Sequence, residues 1–342
     1  MPDNSSTTVL VSGANGFLAM HCILQLLEQG YRVRGTLRSL GREAQIRQNL
    51  AKHINANERL EFAQADLLKD DGWDAAVRGC EYVLHVASPL PAAEPKDENE
   101  LIRPAREGAL RVLRAAADAG VRRVVLTSSV ASIFEGYGPE HRTFDENDWS
   151  NLDGKIGAYP KSKTLAERAA WEFIKNLDAA HPLELAVINP GFILGPYLNA
   201  EMSTSGQLIY KLLRREVPGI PRTRFHVVDV RDVAKAHIAA MTTPEAAGQR
   251  FCCVAPYCWA QDIAQILARH FPAYRVPTRE VPSFLIRLVA VFDKTVRLVV
   301  DDLDKEYTLS TTKIQKTLHW QPRPVEETIV EMAENMIAQG MV

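Results

Sequence analysis

Residues 8–19 read Thr8-Val9-Leu10-Val11-Ser12-Gly13-Ala14-Asn15-Gly16-Phe17-Leu18-Ala19. The apolar run ending at Val11 has the β-branched character of a buried strand, and from Leu18 to about residue 29 apolar side chains recur at helical spacing. Between strand and helix lies a GxxGxxA turn, whose glycines permit a tight turn and close approach of backbone to a pyrophosphate. A helix that begins there offers unpaired N–H groups and the positive end of its dipole to an anion. The turn alone fits a phosphate cradle and an ordinary Gly-containing connection equally well. Its setting, with an apolar strand before it and an amphipathic helix after it at the start of the chain, decides for the cradle.

Further apolar runs at 32–38, 60–66, 82–88, 123–129 and 184–190 read as buried strands, and 250–255 supplies a seventh. Helical patterns at 18–29, 104–119 and 159–177 lie between them, so the chain alternates as βαβ units do. The expected fold is α/β: a Rossmann-type doubly wound parallel sheet with a smaller C-terminal substrate-binding lobe. Residues 7–189, plus 225–255, form the dinucleotide-binding domain in this reading. The lobe takes 190–224 and 256–342, where Gly- and Pro-containing segments loosen the pattern. A length of 342 residues suits a large domain and an attached lobe.

Composition narrows the partner. Forty basic against 42 acidic side chains leave a formal charge of -2, and the basic residues are scattered among acids, which argues against nucleic acid and for a small molecule. Residues 1–7 lack the apolar run of a secretory signal, and the apolar stretch 284–300 is interrupted by Arg287, Asp293, Lys294 and Arg297. A cytoplasmic location, no membrane span and an amphipathic surface helix at 284–300 are expected. The five cysteines show no paired spacing and read as reduced core thiols, and no metal site is expected.

Which dinucleotide is bound depends on the end of the second strand, where an acid would hold the ribose hydroxyl of NAD. The sequence there is Val33-Arg34-Gly35-Thr36-Leu37-Arg38, with no acid, and Arg38 stands near the discriminating distance from the turn. A guanidinium matches a 2′-phosphate through forked, charge-assisted hydrogen bonds, so NADP(H) is the expected cofactor. Asp66 and Leu67, after the third strand, suit the adenine edge.

Tyr159 and Lys163 lie four apart in Ala158-Tyr159-Pro160-Lys161-Ser162-Lys163, on one face of a helix that Pro160 can open. That helix follows a long polar stretch, and the fifth strand ends in Thr127-Ser128-Ser129, so hydroxyls, phenol and amine are delivered to one sheet edge. Reducing a carbonyl leaves negative charge on its oxygen, which requires a proton donor and a second hydrogen-bond donor. Tyr159 gives the proton, Ser129 the second bond, and Lys163 an ammonium that stabilises the phenolate.

The blocks SGANGFLA, VRGTLRS, CEYVLHVASPL, VVLTSSVASI, YPKSKTLAE, INPGFILGP and FHVVDVRDVAKAHI, in this order, make the chain resemble an extended short-chain dehydrogenase/reductase. More narrowly it is similar to the dihydroflavonol reductase-like NADPH-dependent carbonyl reductases. The resemblance implies Ser129, Tyr159 and Lys163 as catalytic triad, with Ser129 ahead of Ser128. It implies Gly13, Asn15, Gly16, Phe17 and Leu18 at the pyrophosphate, Arg38 at the 2′-phosphate, and Asp66-Leu67 at adenine. Val86, Ala87, Ser88, Thr127, Lys163, Pro190 and Ile193 would line the nicotinamide, with Ser205 near the cofactor phosphates. Ser12, Ala19 and Met20-His21 depart from the usual residues, and the 30 positions from Ser129 to Tyr159 are fewer than in the plant flavonoid enzymes, which argues against a flavonoid substrate.

The expected activity is NADP-dependent reduction of hydrophobic ketones or aldehydes by a monomer or homodimer. Leu90, Val130, Ile193, Leu194, Tyr197 and Met202 are candidate pocket residues, and His85, His226 and His237 read as structural. A hydroxysteroid-type dehydrogenase, a nucleotide-sugar epimerase or dehydratase, and a non-catalytic dinucleotide sensor are the alternatives. Arg38 and the apolar segment 189–195 disfavour the epimerase, and the triad disfavours the sensor.

Overall fold

The computed structural model describes residues 4–88, 97–138, 142–178, 181–291, 300 and 303–342. Strands β1 (Thr8–Val11), β2 (Arg32–Leu37), β3 (Leu60–Gln64), β4 (Tyr82–His85), β5 (Arg123–Thr127), β6 (Glu184–Pro190) and β7 (Arg250–Cys253) form one sheet in the order β7-β6-β5-β4-β1-β2-β3. Every neighbouring pair is parallel. These are the seven expected strands; β6 keeps its expected bounds, and the other six release their last residues into loops at the C-terminal edge. The chain order reverses between β1 and β4, which opens the crevice where doubly wound sheets take ligands.

Both faces of the sheet are buried, which is why the strands are near-continuous apolar runs. Val9, Val11, Leu84, Val125, Ala186 and Ile188 face one hydrophobic cluster; Leu10, Val83, Val124, Leu126, Leu185 and Val187 face another. The period of two is that of a pleated strand. Helices α1 (Phe17–Glu28) and α7 (Val230–Thr242) cover the first face, and α3 (Trp73–Val77), α4 (Asn99–Asp118) and α5 (Ala158–Lys175) the second. Helix α2 (Glu43–Ala51) follows β2.

Beyond the C-terminal edge, α6 (Gly206–Leu213), α8 (Ala260–His270) and the last helix, Val325–Ala338, gather a third cluster with Leu194, Tyr197 and Val276. Short strands tie this part to the sheet: Phe192–Leu194 pairs with Val227–Asp229, and Arg224–Phe225 with Cys258–Trp259.

Two expectations are corrected. Helix α4 begins at Asn99 and carries Pro104 inside it. The ring removes one first-turn bond, and the buried Leu101 and Ile102 hold that turn against the protein. Residues 256–342 do not all belong to the lobe: helix Thr312–Leu318 places Ile314, Leu318 and Trp320 in the cluster beneath α1 and α7. The Trp320 indole donates to the Asp232 carbonyl at 2.8 Å, and Arg323 pairs with the Asp232 carboxylate. In the stretch 284–300, helix Ser283–Val289 buries Ile286 and leaves Phe284, Leu285, Leu288 and Val289 exposed; 292–299 lie outside the described residues. No helix among the described residues is long and apolar enough to cross a membrane.

At the opposite edge of the sheet Arg123, 1% exposed, donates to the carbonyls of Ala240 (2.8 Å), Met241 (3.2 Å) and Thr243 (2.6 Å) and pairs with Glu184. It satisfies the last turn of α7, whose carbonyls have no intrahelical partner. Arg123→Met should therefore lower the unfolding free energy by about 3 kcal/mol, because several buried acceptors lose a charged donor together. A circular-dichroism melt would show it; an unchanged Tm would refute the capping role.

Candidate active site

The turn after β1 is built around close contacts. Gly13 has φ +69°, and a Cβ there would stand 2.9 Å from the Ala87 Cβ, so turn and β4 loop approach to glycine-only distance. Its N–H donates to Thr36 Oγ1 at 3.0 Å, and that of Ala14 to the Thr36 carbonyl at 2.9 Å. The Ser12 hydroxyl accepts from the Ala87 N–H at 2.9 Å and lies 2.8 Å from His85 Nδ1, cross-linking β1 to β4. Gly16 caps α1, whose first turn carries no acid, so the helix N-terminus is available to an anion. Asn15 lies at its mouth, Leu18 is buried behind it, and Phe17 packs on Tyr197 at 4.8 Å between ring centroids.

Arg38 stands exposed at the end of β2, and among the described residues no carboxylate pairs with its guanidinium. Asp66 Oδ1 accepts from the Leu68 N–H at 3.0 Å, fixing the turn that carries Leu67 beside Gly108 of α4. Arg38 and Asp66-Leu67 thus flank the same side of the sheet edge, past β2 and β3. A loop of the second lobe crosses the cradle: Asn199 Nδ2 donates to the Asn15 carbonyl at 3.1 Å, and Glu201 takes Asn15 Nδ2 at 3.2 Å and pairs with Arg42. Nothing in the spacing of residues 196–205 announces this contact.

At the other end of the edge, Ser129 caps a short turn (Val130–Ser132), accepts from the Ala131 N–H at 3.1 Å, and hydrogen-bonds the Tyr159 side chain. Ser128 turns away and donates to Glu167 at 2.5 Å, so the two serines have separate partners. Lys163, one helical turn after Tyr159, donates to Ser88 Oγ at 2.9 Å, and its Nζ lies 5.9 Å from the Tyr159 ring centre. Burial lowers the Lys163 ammonium to about 8, opposed by the negative charge of Glu167. The Tyr159 phenol is raised above its ordinary value by burial, opposed by Ser129. Removal from water outweighs the Ser129 hydrogen bond at the phenol, and the Lys163 ammonium is anchored on Ser88.

Ala87 and Ser88 connect the two ends of the site, with Val86 before them; Leu90 lies outside the described residues. The Thr127 hydroxyl is engaged with His237 Nε2 at 2.6 Å, while His237 Nδ1 donates to the Val233 carbonyl at 2.8 Å. Pro190 ends β6, Ile193 lies in the next short strand, and the Ile193 carbonyl accepts from Ser205 Oγ at 2.5 Å. Sequence reasoning missed Glu167, which accepts from Ser128 under this site, and Asn189 and Arg250, which donate to Glu167; the signal available was spacing, since Glu167 continues the Tyr159–Lys163 face of α5 by four residues.

Residues 9–252 match the NAD dependent epimerase/dehydratase family. The chain belongs to this family, as an extended short-chain dehydrogenase/reductase. It is 37% identical over 279 residues, 80% of each chain, to cinnamoyl-CoA reductase 1 of Petunia hybrida. To tetraketide alpha-pyrone reductase 1 of Arabidopsis thaliana it is 32% identical over 345 residues, 99% of this chain and 98% of the relative. Among solved structures, the yeast methylglyoxal/isovaleraldehyde reductase complexed with NADPH superposes with TM-score 0.82 at 29% identity, covering 98% of this chain and 100% of that one. Vestitone reductase from alfalfa (Medicago sativa) gives 0.76 at 26%, covering 98% and 99%.

The histidines that stitch this edge are neutral: burial drives His85 down to about 3, and His21 and His237 to about 4. Because unfolding restores an ordinary value of 6.5, their contribution is complete above that pH and is lost as pH falls from there toward 4. Urea unfolding at pH 7 and pH 5 should differ by about 2 kcal/mol for each ring. A profile that stays flat between these two values would show that the rings take up protons in the fold as readily as in the unfolded chain.

Proposed function

We propose that the chain is an NADPH-dependent reductase of hydrophobic aldehydes and ketones in which Tyr159 is the proton donor. The observation that carries this reading is the convergence of Ser129, Tyr159 and Lys163 at the edge of β5, joined through Ser88 and Ala87 to the glycine turn. The residues fit the cofactor: a Cβ would fill the approach at Gly13, the first turn of α1 carries no acid, and Arg38 stands exposed at the end of β2. Gly13, Asn15, Gly16 and the first N–H groups of α1 hold the pyrophosphate, Arg38 the 2′-phosphate, and Lys163 the nicotinamide ribose. When bound, the nicotinamide supplies a hydride. The reductase names of the relatives and the NADPH in the yeast structure support the same reading.

The chain's own chemistry follows from charge. Ser129 donates a hydrogen bond to the substrate carbonyl oxygen, where negative charge develops. A phenol held above its ordinary value is protonated throughout the neutral range, which is the form a reduction needs. Once its proton has passed to the oxygen, the Lys163 ammonium stabilises the phenolate left behind. Of the candidate pocket residues, Leu194 and Tyr197 are packed in the apolar cluster of the lobe and Val130 in the cluster around Phe134 and Phe144.

Tyr159→Phe should lower kcat for NADPH-dependent reduction of isovaleraldehyde by at least about 100-fold, the usual contribution of a positioned acid, with NADPH affinity within a few-fold of wild type. Intact turnover would sink the assignment. Arg38→Ala should raise KM for NADPH by about 10-fold or more and leave KM for NADH nearly unchanged, since the lost contact is to a phosphate that NADH lacks. Equal losses with both cofactors would remove Arg38 from the 2′-phosphate site.

A further inference from the structure

Directly beneath the triad lies a carboxylate removed from water. Glu167 is 1% exposed and sits on the face of α5 that carries Tyr159 and Lys163, four residues beyond the lysine. Its Oε2 accepts from Ser128 Oγ at 2.5 Å and Asn189 Nδ2 at 2.9 Å, and lies 2.7 Å from Ser132 Oγ. Its Oε1 accepts from Arg250 Nε at 2.5 Å and Trp171 Nε1 at 3.3 Å. Arg250 is buried too: it donates to the carbonyls of Glu146 at 3.0 Å and Asp148 at 2.9 Å, and its guanidinium lies 3.7 Å from the Trp149 ring centre.

A buried ion pair is weak evidence for stability, because desolvation consumes most of the attraction and apolar side chains of the same volume serve as well. What is specific here is the set of partners. Ser128 precedes Ser129, the Ser132 hydroxyl lies 2.8 Å from the Ser129 carbonyl, and Asn189 Nδ2 lies 3.2 Å from the same carbonyl. The loop held by Arg250 through Glu146 and Asp148 leads into α5. Lys163 and Glu167 line one buried cavity of about 20 Å³, together with His85, Ser88 and Ser128. The groups facing the lysine are therefore Tyr159 and Glu167 on its own helix and His85 and Ser88 from β4 and its loop. Those facing the carboxylate are Trp171 on its own helix, Ser128, Ser132 and Asn189 from the ends of β5 and β6, and Arg250 on β7. Beyond Arg250 stand Glu146 and the Cys252 thiol, which burial keeps neutral.

We propose that Glu167 is a positioning residue for the reduction: it fixes the segment carrying Ser129 relative to Tyr159 and supplies the negative charge that keeps Lys163 an ammonium. This rests on the roles given above to Ser129, Tyr159 and Lys163. Without the carboxylate, burial acts on Lys163 with no opposing negative charge, so the lysine gives up its proton more readily and the Tyr159 phenolate loses its support.

The test uses the full chain with NADP(H). Glu167→Gln should lower kcat for isovaleraldehyde reduction by about 10-fold or more with KM for NADPH little changed, the pattern of a contact felt at the reacting atoms. The acid limb of the reverse oxidation should move alkaline by about one pH unit, as expected when an opposite charge within a helical turn is lost. A ¹³C-lysine NMR titration, which needs no substrate, should show the Lys163 midpoint moving acid. Because Glu167→Gln strands a buried guanidinium and could misfold, the double variant Glu167→Gln with Arg250→Met removes both charges. It should fold yet stay slow, with the same pH displacement. Recovery of wild-type kcat and pH limb in the folded double variant, or an unmoved Lys163 midpoint, would overturn the proposal. Persistent activity of Tyr159→Phe would instead count against the proton-donor reading, and the NMR midpoint would still decide the part played by Glu167.

Discussion

The Glu167 carboxylate is the point at which the C-terminal ends of β5 and β6, the start of β7, the helix of the triad and the loop preceding it are made to agree. A carboxylate withdrawn from water requires donors on both oxygens, and here they come from the turn after β5, from β6, from β7 and from α5 itself. None of these elements can shift without leaving a charge or a polar group unpaired. The separation of duties between Ser128 and Ser129 is one consequence: the first hydroxyl is committed to the carboxylate, which leaves the second to meet Tyr159.

A second joint lies on the other side of β4, where Ser12, His85 and Ala87 bind the glycine turn to the β4 loop and Gly13 lets the two backbones approach. The joints share β4 and the residues after it. Ser88, bonded to Lys163, follows Ala87, which touches Gly13, so the dinucleotide cradle and the triad are held at a set separation along one edge. Neutral histidines suit these joints, because each imidazole can be buried while donating from one nitrogen and accepting at the other. The second lobe enters through Asn199 and Glu201, which reach the cradle from a segment almost two hundred residues away in sequence.

Much of this was legible before any coordinates. All seven strands follow from short runs of buried composition, and residue type and spacing next to those runs put forward the turn, Arg38, Ser129, Tyr159 and Lys163 as candidates. The failures share a cause. Pro104 marked a helix start by local rule, but packing of Leu101 and Ile102 extended α4 past it. The segment 312–320 looked like lobe by position in the chain, yet Trp320 and Ile314 found their apolar partners under α1 and α7.

By itself the sequence determined the alternation of strands and helices, the parallel sheet, and the residue types that reach its C-terminal edge, because hydrophobic period and turn chemistry act over a few neighbouring positions. Only the tertiary structure decided that Ser128 is committed to a buried carboxylate, that Arg250 on the seventh strand pairs with Glu167 beneath the triad, and that Glu201 reaches Asn15 at the glycine turn. Those outcomes depend on burial and on donors brought together from distant segments, and the energy of removing a charge from water exists only once the chain has folded around it.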